Sequence, residues 1–163
     1  MATTDLSVYD HEKVPSAKNF RFGIVVSEWN PDITSNLLKG ALETLVKHGA
    51  PEESIHVDWV PGSFELIYGC SQMLKSKKMD ALIAIGNVIR GETEHFTFVC
   101  EGVTQGIKDL NQQHDTPTIF CVLTDHTKQQ SIDRSGGKHG NKGIECAIAA
   151  IKMAALKASY QTT

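Results

Sequence analysis

Apolar residues in this chain follow two alternating patterns: short runs with the two-residue period of a strand, and longer stretches repeating every three or four residues like one helix face. Phe20 to Ser27 is the first strand, with Phe22, Ile24 and Val26 toward one side and Val25 toward the other. Asn30-Pro31-Asp32 starts a helix. Asn30 suits its cap, Pro31 its first turn where a missing N–H is harmless, and Asp32 the positive end of its dipole. The stripe Ile33, Leu37, Leu38, Ala41, Leu45 and Val46 is expected to be buried, and Gly49 and Pro51 end the helix. Ile55, Val57 and Trp59 alternate in a second strand. Pro61-Gly62 breaks it before a helix that opens at Ser63-Phe64-Glu65 and continues through Leu66, Ile67, Cys70 and Leu74.

Ala81 to Ile85 is an uninterrupted apolar run, suited to a central parallel strand covered on both faces, and Gly86 is expected to end it. A helix follows with Thr93 as its expected cap and with Phe96, Val99, Cys100, Val103, Ile107 and Leu110 at helical spacing. Thr118 to Leu123 is the fourth strand. Thr127 with Gln130 makes a capping box for a short helix that stops at Gly136-Gly137. Asn141 caps the last helix, whose stripe is Ile144, Ala147, Ile148, Ile151 and Ala155. This alternation implies a parallel sheet with helices on both faces, and ligands outside the carboxyl ends of its strands. Residues 20–163 read as one α/β domain. Met1 to Asn19 is polar, lacks a helical period and carries Pro15, so it is expected to be a flexible arm; Ser7-Val8-Tyr9 and Lys13-Val14 have the character to pair with a sheet edge.

Composition narrows the class. A chain of 163 residues, 40% hydrophobic and 21% charged, can bury a core of its own. A net charge of −3 leaves no basic footprint for nucleic acid. No apolar run is long enough to span a membrane, and the first residues lack the charged and apolar regions of a signal peptide. Cys70, Cys100, Cys121 and Cys146 are far apart in sequence, each among apolar neighbours. They are expected to be small buried hydrophobes in a reducing cytoplasm. The seven His are scattered, and His139 lacks zinc-site spacing.

Candidate chemistry collects at the strand ends: Trp29, Glu65, the turn Asn87 to His95, and Thr124 to His126. Gly86-x-x-x-x-Gly91-Glu92-Thr93 comes close to a Walker A loop, but that loop needs Lys where Glu92 stands, so a nucleotide triphosphatase is excluded. A single phosphate held by a helix N-terminus, Thr93 and one cation fits better. Taken singly, Trp29 reads as a packing residue, Glu65 as a first-turn acid and His95 as a surface group. At one rim, a flat aromatic, a carboxylate and an imidazole suit a planar polar heterocycle.

Four segments resemble the lumazine synthase family, over about Phe20 to Leu156: Ser27-Glu28-Trp29-Asn30, Pro61-Gly62-Ser63-Phe64-Glu65, Gly86-Asn87-Val88-Ile89-Arg90-Gly91-Glu92-Thr93-Glu94-His95-Phe96, and Arg134 to Gly143. The resemblance implies a flavodoxin-like three-layer α/β/α sandwich. It also implies condensation of 5-amino-6-(D-ribitylamino)uracil with 3,4-dihydroxy-2-butanone 4-phosphate to 6,7-dimethyl-8-ribityllumazine, without metal or other cofactor.

By the same resemblance, Trp29 stacks on the pyrimidine, Ser63, Phe64 and Glu65 hold the uracil and ribityl chain, and the backbone of Asn87, Val88 and Ile89 reads the uracil edge. Most bacterial members have Phe at the position of Trp29, and small residues are commoner at that of Asn87. Gly91, Glu92 and Thr93 match the phosphate turn, with Arg134 as its cation, and His95 matches the proton donor and acceptor. Phe120 and Lys142, with Arg134, match residues lent by an adjacent subunit, which makes the chain a homo-oligomer. A pentamer is implied, and the short loop Gly136 to Gly140 implies a sixty-subunit shell, with functional association with riboflavin synthase. Arg90 and Lys138 are near the implied site but read equally well as solvated cations. A non-enzymatic flavin-binding protein on the same fold would also use Trp29, but has no need of His95, Arg134 or a phosphate turn.

Overall fold

β1, Phe22–Ser27, is buried along its whole length, because it lies between two other strands and beneath helices on both faces. In the computed structural model, which describes residues 5–161, it is followed by α1 (Pro31–Lys47), β2 (Ile55–Val60), α2 (Leu66–Ser76), β3 (Ala81–Ile89) and α3 (His95–Gln113). Then come β4 (Thr118–Asp125), α4 (Lys128–Arg134), β5 (Ser135–Gly137), β6 (Gly140–Asn141) and α5 (Lys142–Gln161). β1 to β4 form one parallel sheet in the order β2-β1-β3-β4, with Phe22 beside both Ile55 and Ala81, and Leu82 beside Thr118. α1 and α5 cover one face over Phe22, Ile24, Val26, Ile83 and Ile85; α2 and α3 cover the other over Val25, Leu82 and Ala84. This is the expected three-layer, flavodoxin-like sandwich. Ile83 is closed to solvent, so truncating it to Ala would cost about 2–5 kcal/mol.

Several local expectations are corrected. Gly86 does not end its strand: β3 runs on to Ile89, because β4 accompanies it, with Gly86 beside Val122 and Ile89 beside Asp125. β4 is longer than expected for the same reason. Glycine is needed at 86 for close approach, since a Cβ there would lie 2.6 Å from Ser63 Oγ and 2.9 Å from Leu66 Cδ1. Asn30 precedes α1 as expected but makes no side-chain cap. It sits in the left-handed region at φ 57°, which Asn tolerates, and its carbonyl accepts from the N–H groups of Ile33 (2.9 Å) and Thr34 (3.0 Å). Thr93 is not the cap of α3; that position is Glu94, and Thr93 Oγ1 accepts from His95 N–H at 3.4 Å.

Trp59 is exposed because β2 is an outer strand with one neighbour. Val46 is exposed too, and with Leu42, Ile55 and Val57 it lines an open groove between α1 and β2. The buried face of α5 is rotated toward Cys146, Ala150 and Ala154, leaving Ile144 and Ala155 half-buried. These small residues, with Gly143 against the Leu37 carbonyl, let α5 lie close to α1. The two later caps form as expected. Thr127 and Gln130 make their box, and Asn141 Oδ1 accepts from Gly143 N–H at 2.8 Å.

Part of the arm, Met1 to Thr4, lies outside the described residues. From Asp5 to Asn19 it contributes no strand: Leu6 N–H donates to the His139 carbonyl (3.2 Å), the Tyr9 hydroxyl meets His48 Nε2 (3.0 Å), and Ala17 is buried. All four thiols are free; Cys70, Cys121 and Cys146 are buried, and burial pushes the Cys70 thiol up to about 12. Cys100 is half-buried. Among the described residues no helix is long and apolar enough to cross a membrane.

Candidate active site

After Ile85 the edge of β3 that faces β1 has no strand beside it, because the pairing between them ends at Val26 and Ile85. The chain leaves β1 toward β2 on one side, while β3 lies on the other. Such a divergence opens a crevice at the carboxyl ends of a parallel sheet. Here it is a cleft of about 730 Å³, lined by Trp29, Asn30, Gly62, Ser63, Phe64, Glu65, Asn87, Val88, Ile89, His95, Phe98 and Val99.

One wall is built around Gly62. A Cβ there would lie 2.9 Å from Glu65 Oε2 and 3.2 Å from Trp29 Cδ1, so glycine leaves room for a carboxylate and an indole to approach the same point. Trp29 N–H donates to the Pro61 carbonyl at 3.3 Å, and the side chain is 71% exposed, an aromatic face that the core does not use. Ser63 is buried beside it and donates through Oγ to the Asn87 carbonyl at 3.3 Å. Phe64 is half exposed and its ring crosses α3 at Gly102, where a Cβ would lie 2.7 Å from Cε2. The floor is the end of β3. The opposite wall is the first turn of α3, which presents His95, Phe98 and Val99.

The turn Gly91 to Glu94 is exposed at the foot of α3, with open space where a Gly91 side chain would be. Arg90 places its guanidinium 5.6 Å from the centre of the Phe96 ring, and its N–H donates to the Asp125 carbonyl at 2.8 Å. His126 meets the other side of this cluster, edge-on to Phe96 at 6.1 Å. Thr124 to His126 therefore reach the rim but do not line the cleft.

Three other expected site residues are elsewhere. Arg134, at the end of α4, donates to the His139 carbonyl (2.8 Å) and pairs with Glu145 (2.7 Å). Lys142 pairs with the other oxygen of Glu145 at 3.1 Å. Phe120 lies half-buried on β4, whose Phe120 carbonyl is met by Cys146 Sγ at 3.7 Å. None of the three lines the cleft of its own chain. Lys138 pairs with Asp133 at 3.2 Å.

Asn30, Gly62, Phe98 and Val99 line the cleft although sequence reasoning did not place them there. Phe98 carried a signal, an aromatic off the buried stripe in the first turn of α3. Glu145 was also missed; its signal was an acid three residues after Lys142 at a helix start.

The sequence pattern of the 6,7-dimethyl-8-ribityllumazine synthase family matches residues 19–158, which include the whole sheet and every residue of the cleft. The chain belongs to this family. It is 63% identical to the 6,7-dimethyl-8-ribityllumazine synthase of Christiangramia forsetii, over 96% of this chain and 95% of that one. The synthase of Flavobacterium psychrophilum is 64% identical over 96% of this chain and 82% of its own. That of Phocaeicola vulgatus is 58% identical over 100% of this chain and 98% of its own. Lumazine synthase relatives thus match the chain nearly end to end, and the arm lies largely outside the family pattern.

Proposed function

We propose that the chain is a transferase that condenses 5-amino-6-(D-ribitylamino)uracil with 3,4-dihydroxy-2-butanone 4-phosphate, releasing phosphate and water, in a site completed by a neighbouring subunit. The observation that carries this reading is the division of residues: Trp29, Glu65, His95 and the open edge of β3 line one cleft, while Arg134, Lys142 and Phe120 of the same chain lie outside it.

In the cleft, the Trp29 indole stacks on the pyrimidine, for which any flat polarisable face serves. Backbone groups of Asn87, Val88 and Ile89 meet the uracil edge where β3 has lost its strand neighbour. Glu65 accepts from ribityl hydroxyls, a charge-assisted bond stronger than a neutral one, and Ser63 and Phe64 line the same wall. The N–H groups of Gly91, Glu92 and Thr93 at the foot of α3 face the phosphate, with the Glu92 carboxylate turned to solvent. Arg134 from the neighbour adds a planar cation that grips two phosphate oxygens, with Phe120 and Lys142 beside it.

Carbinolamine dehydration, removal of the proton that lets phosphate leave, and closure of the second ring each move a proton near neutral pH, where imidazole is effective. His95 at the cleft wall takes that role. No electrons are transferred overall, so the reaction needs no redox cofactor. Placing two substrates side by side contributes further.

Sharing one repeated, heterologous interface around a closed ring accounts for the divided site. The family resemblance makes that ring a pentamer, and the short Gly136 to Gly140 loop fits packing of pentamers into a sixty-subunit shell. Residues 20–163 act as the catalytic unit, with 1–19 as an arm that adds a strand to a neighbour. Cytoplasmic location and functional association with riboflavin synthase, which would consume the product, complete the reading. The test is to mix the protein with both substrates and follow lumazine fluorescence while sedimentation reports assembly size. A fully active monomer would overturn the shared site, and no lumazine from a folded oligomer would overturn the activity.

A further inference from the structure

Asn87 is held from two layers of the fold. Its carbonyl accepts from Ser63 Oγ at 3.3 Å, ahead of α2, and its Nδ2 donates to Ser131 Oγ at 2.9 Å, in α4. Ser131 Oγ in turn donates to Asp125 Oδ2 at 2.7 Å. A hydroxyl has one proton, and Asp125 takes it, so the bond from Asn87 to Ser131 runs in one direction only. The link from Asn87 to Ser131 is closed off, with Ser131 0% and Asn87 3% exposed and Asn87 Oδ1 buried without a partner among the described residues, whereas Asp125 is half-buried. A buried link of this kind holds Asn87 and Ser131 in one arrangement, since no water replaces it when lost.

The three residues belong to parts of the molecule with different tasks. Asn87 is in the cleft floor. Asp125 ends β4 beside Ile89, and its carbonyl takes the N–H of Arg90, which leads into the Gly91 turn. Ser131 stands three residues before Arg134 on a seven-residue helix. A helix of two turns cannot hold itself and depends on tertiary ties. α4 has its capping box at one end, the Arg134 pairings at the other, and Ser131 in between.

We propose that Ser131 is a positioning residue for the reaction. Through Asn87 and Asp125 it sets α4, and so Arg134, against the cleft floor, keeping the half-site that a subunit uses in register with the half-site it lends. This rests on the reading of Arg134 given above. It makes substrate binding in one cleft depend on a hydroxyl that touches neither substrate.

The test is steady-state kinetics of the assembled enzyme, with KM for each substrate and kcat measured for wild type, Ser131→Ala, Ser131→Thr, Asn87→Ala, the Ala double variant and Arg134→Ala, each checked for folding by circular dichroism. Ser131→Ala is expected to raise KM for both substrates by about three- to ten-fold, as loss of its hydrogen bonds to Asn87 and Asp125 allows. Asn87→Ala, which breaks the bridge from the other end, should also raise KM for the phosphate substrate. The double variant should be no worse than the worse single one, because all three lose the same link. Ser131→Thr, which keeps the hydroxyl, should recover most of the loss.

A folded Ser131→Ala enzyme with wild-type KM for both substrates overturns the proposal, as does a double variant whose loss is the product of the single losses. Arg134→Ala separates the two readings. If it weakens the phosphate substrate while Ser131→Ala is inert, the bridge alone fails. If it leaves that substrate unaffected, the shared site fails and the bridge with it.

Discussion

The Arg134 guanidinium lies 2.7 Å from the Glu145 carboxylate, and the other oxygen of that carboxylate takes Lys142 at 3.1 Å. Arg134 and Glu145 are at least three-quarters buried and Lys142 about two-thirds, so the pairing is screened less than a surface ion pair and fixes where the guanidinium points. Glu145→Ala is therefore expected to raise KM for the butanone phosphate by about three- to thirty-fold with a much smaller effect on the pyrimidine. Glu145→Gln, which keeps the shape, should lose less. Equal losses for both substrates in initial-rate measurements would remove Glu145 from the phosphate side.

His95 is exposed at the cleft wall and bears little of the fold. His95→Ala should slow lumazine formation by about ten- to a thousand-fold while the melting temperature barely moves. Single-turnover rates beside thermal melts decide this, and wild-type turnover in the variant excludes His95 from proton transfer.

Trp29 is 71% exposed inside the cleft, whereas Trp59 stands 45% exposed on the outer strand β2. Riboflavin or the lumazine product should quench the Trp29 emission by stacking. A Trp59→Phe protein keeps the quench and a Trp29→Phe protein loses it. Retention of the full quench in Trp29→Phe places the ligand elsewhere.

Gly102 is in the middle of α3 beneath the Phe64 ring. Gly102→Ala favours the helix by up to about 1 kcal/mol, yet the added methyl must push aside a ring that lines the cleft. Stability should hold or rise while pyrimidine affinity falls, about three- to ten-fold. Calorimetry of unfolding and of ligand binding on one sample tests both halves; a variant that binds normally shows that Phe64 is free to move.

His48 is held below the usual imidazole range by burial first, then by the charges of His11 and Lys47. Its neighbours in the arm are Tyr9, whose hydroxyl it meets at 3.0 Å, and His11, stacked at 5.8 Å. A depressed imidazole in the docked state means that the undocked form binds the proton more readily. Docking therefore has its full stability above the ordinary value of 6.5 and loses it as the pH falls below. Hydrogen-exchange protection of residues 6–17 should drop between about pH 7.5 and about pH 5.5 after correction for intrinsic rates. Unchanged protection sinks this latch.

What could be read in advance followed from burial and period. The alternation of Phe22, Ile24 and Val26 against Val25 separated the two sides of β1 that the two helix pairs cover, and the capping residues Thr127 and Asn141 behaved as their chemistry requires. Position in the sheet was harder, because it is set between strands. Trp59 alternates correctly yet is exposed, since nothing within Ile55 to Val60 marks it as an outer strand. Gly86 looked like a stop when only the local run was considered; its role depends on Ser63 and Leu66, which are distant in sequence. Within the cleft, Trp29, Glu65 and His95 were legible because they fall together at the strand ends, whereas Asn30 and Gly62 act through backbone shape.

The strand order has a consequence for synthesis. β1 is made first but lies second in the sheet, and one of its two partners, β3, begins at Ala81, after α1, β2 and α2 have been made. Until then one edge of β1 is open, and the face bearing Phe22, Ile24 and Val26 stays partly bare until α5, the last element, is complete. A nascent chain of this topology carries a strand that is wholly buried in the finished fold half-covered through most of translation, a state prone to edge-to-edge association.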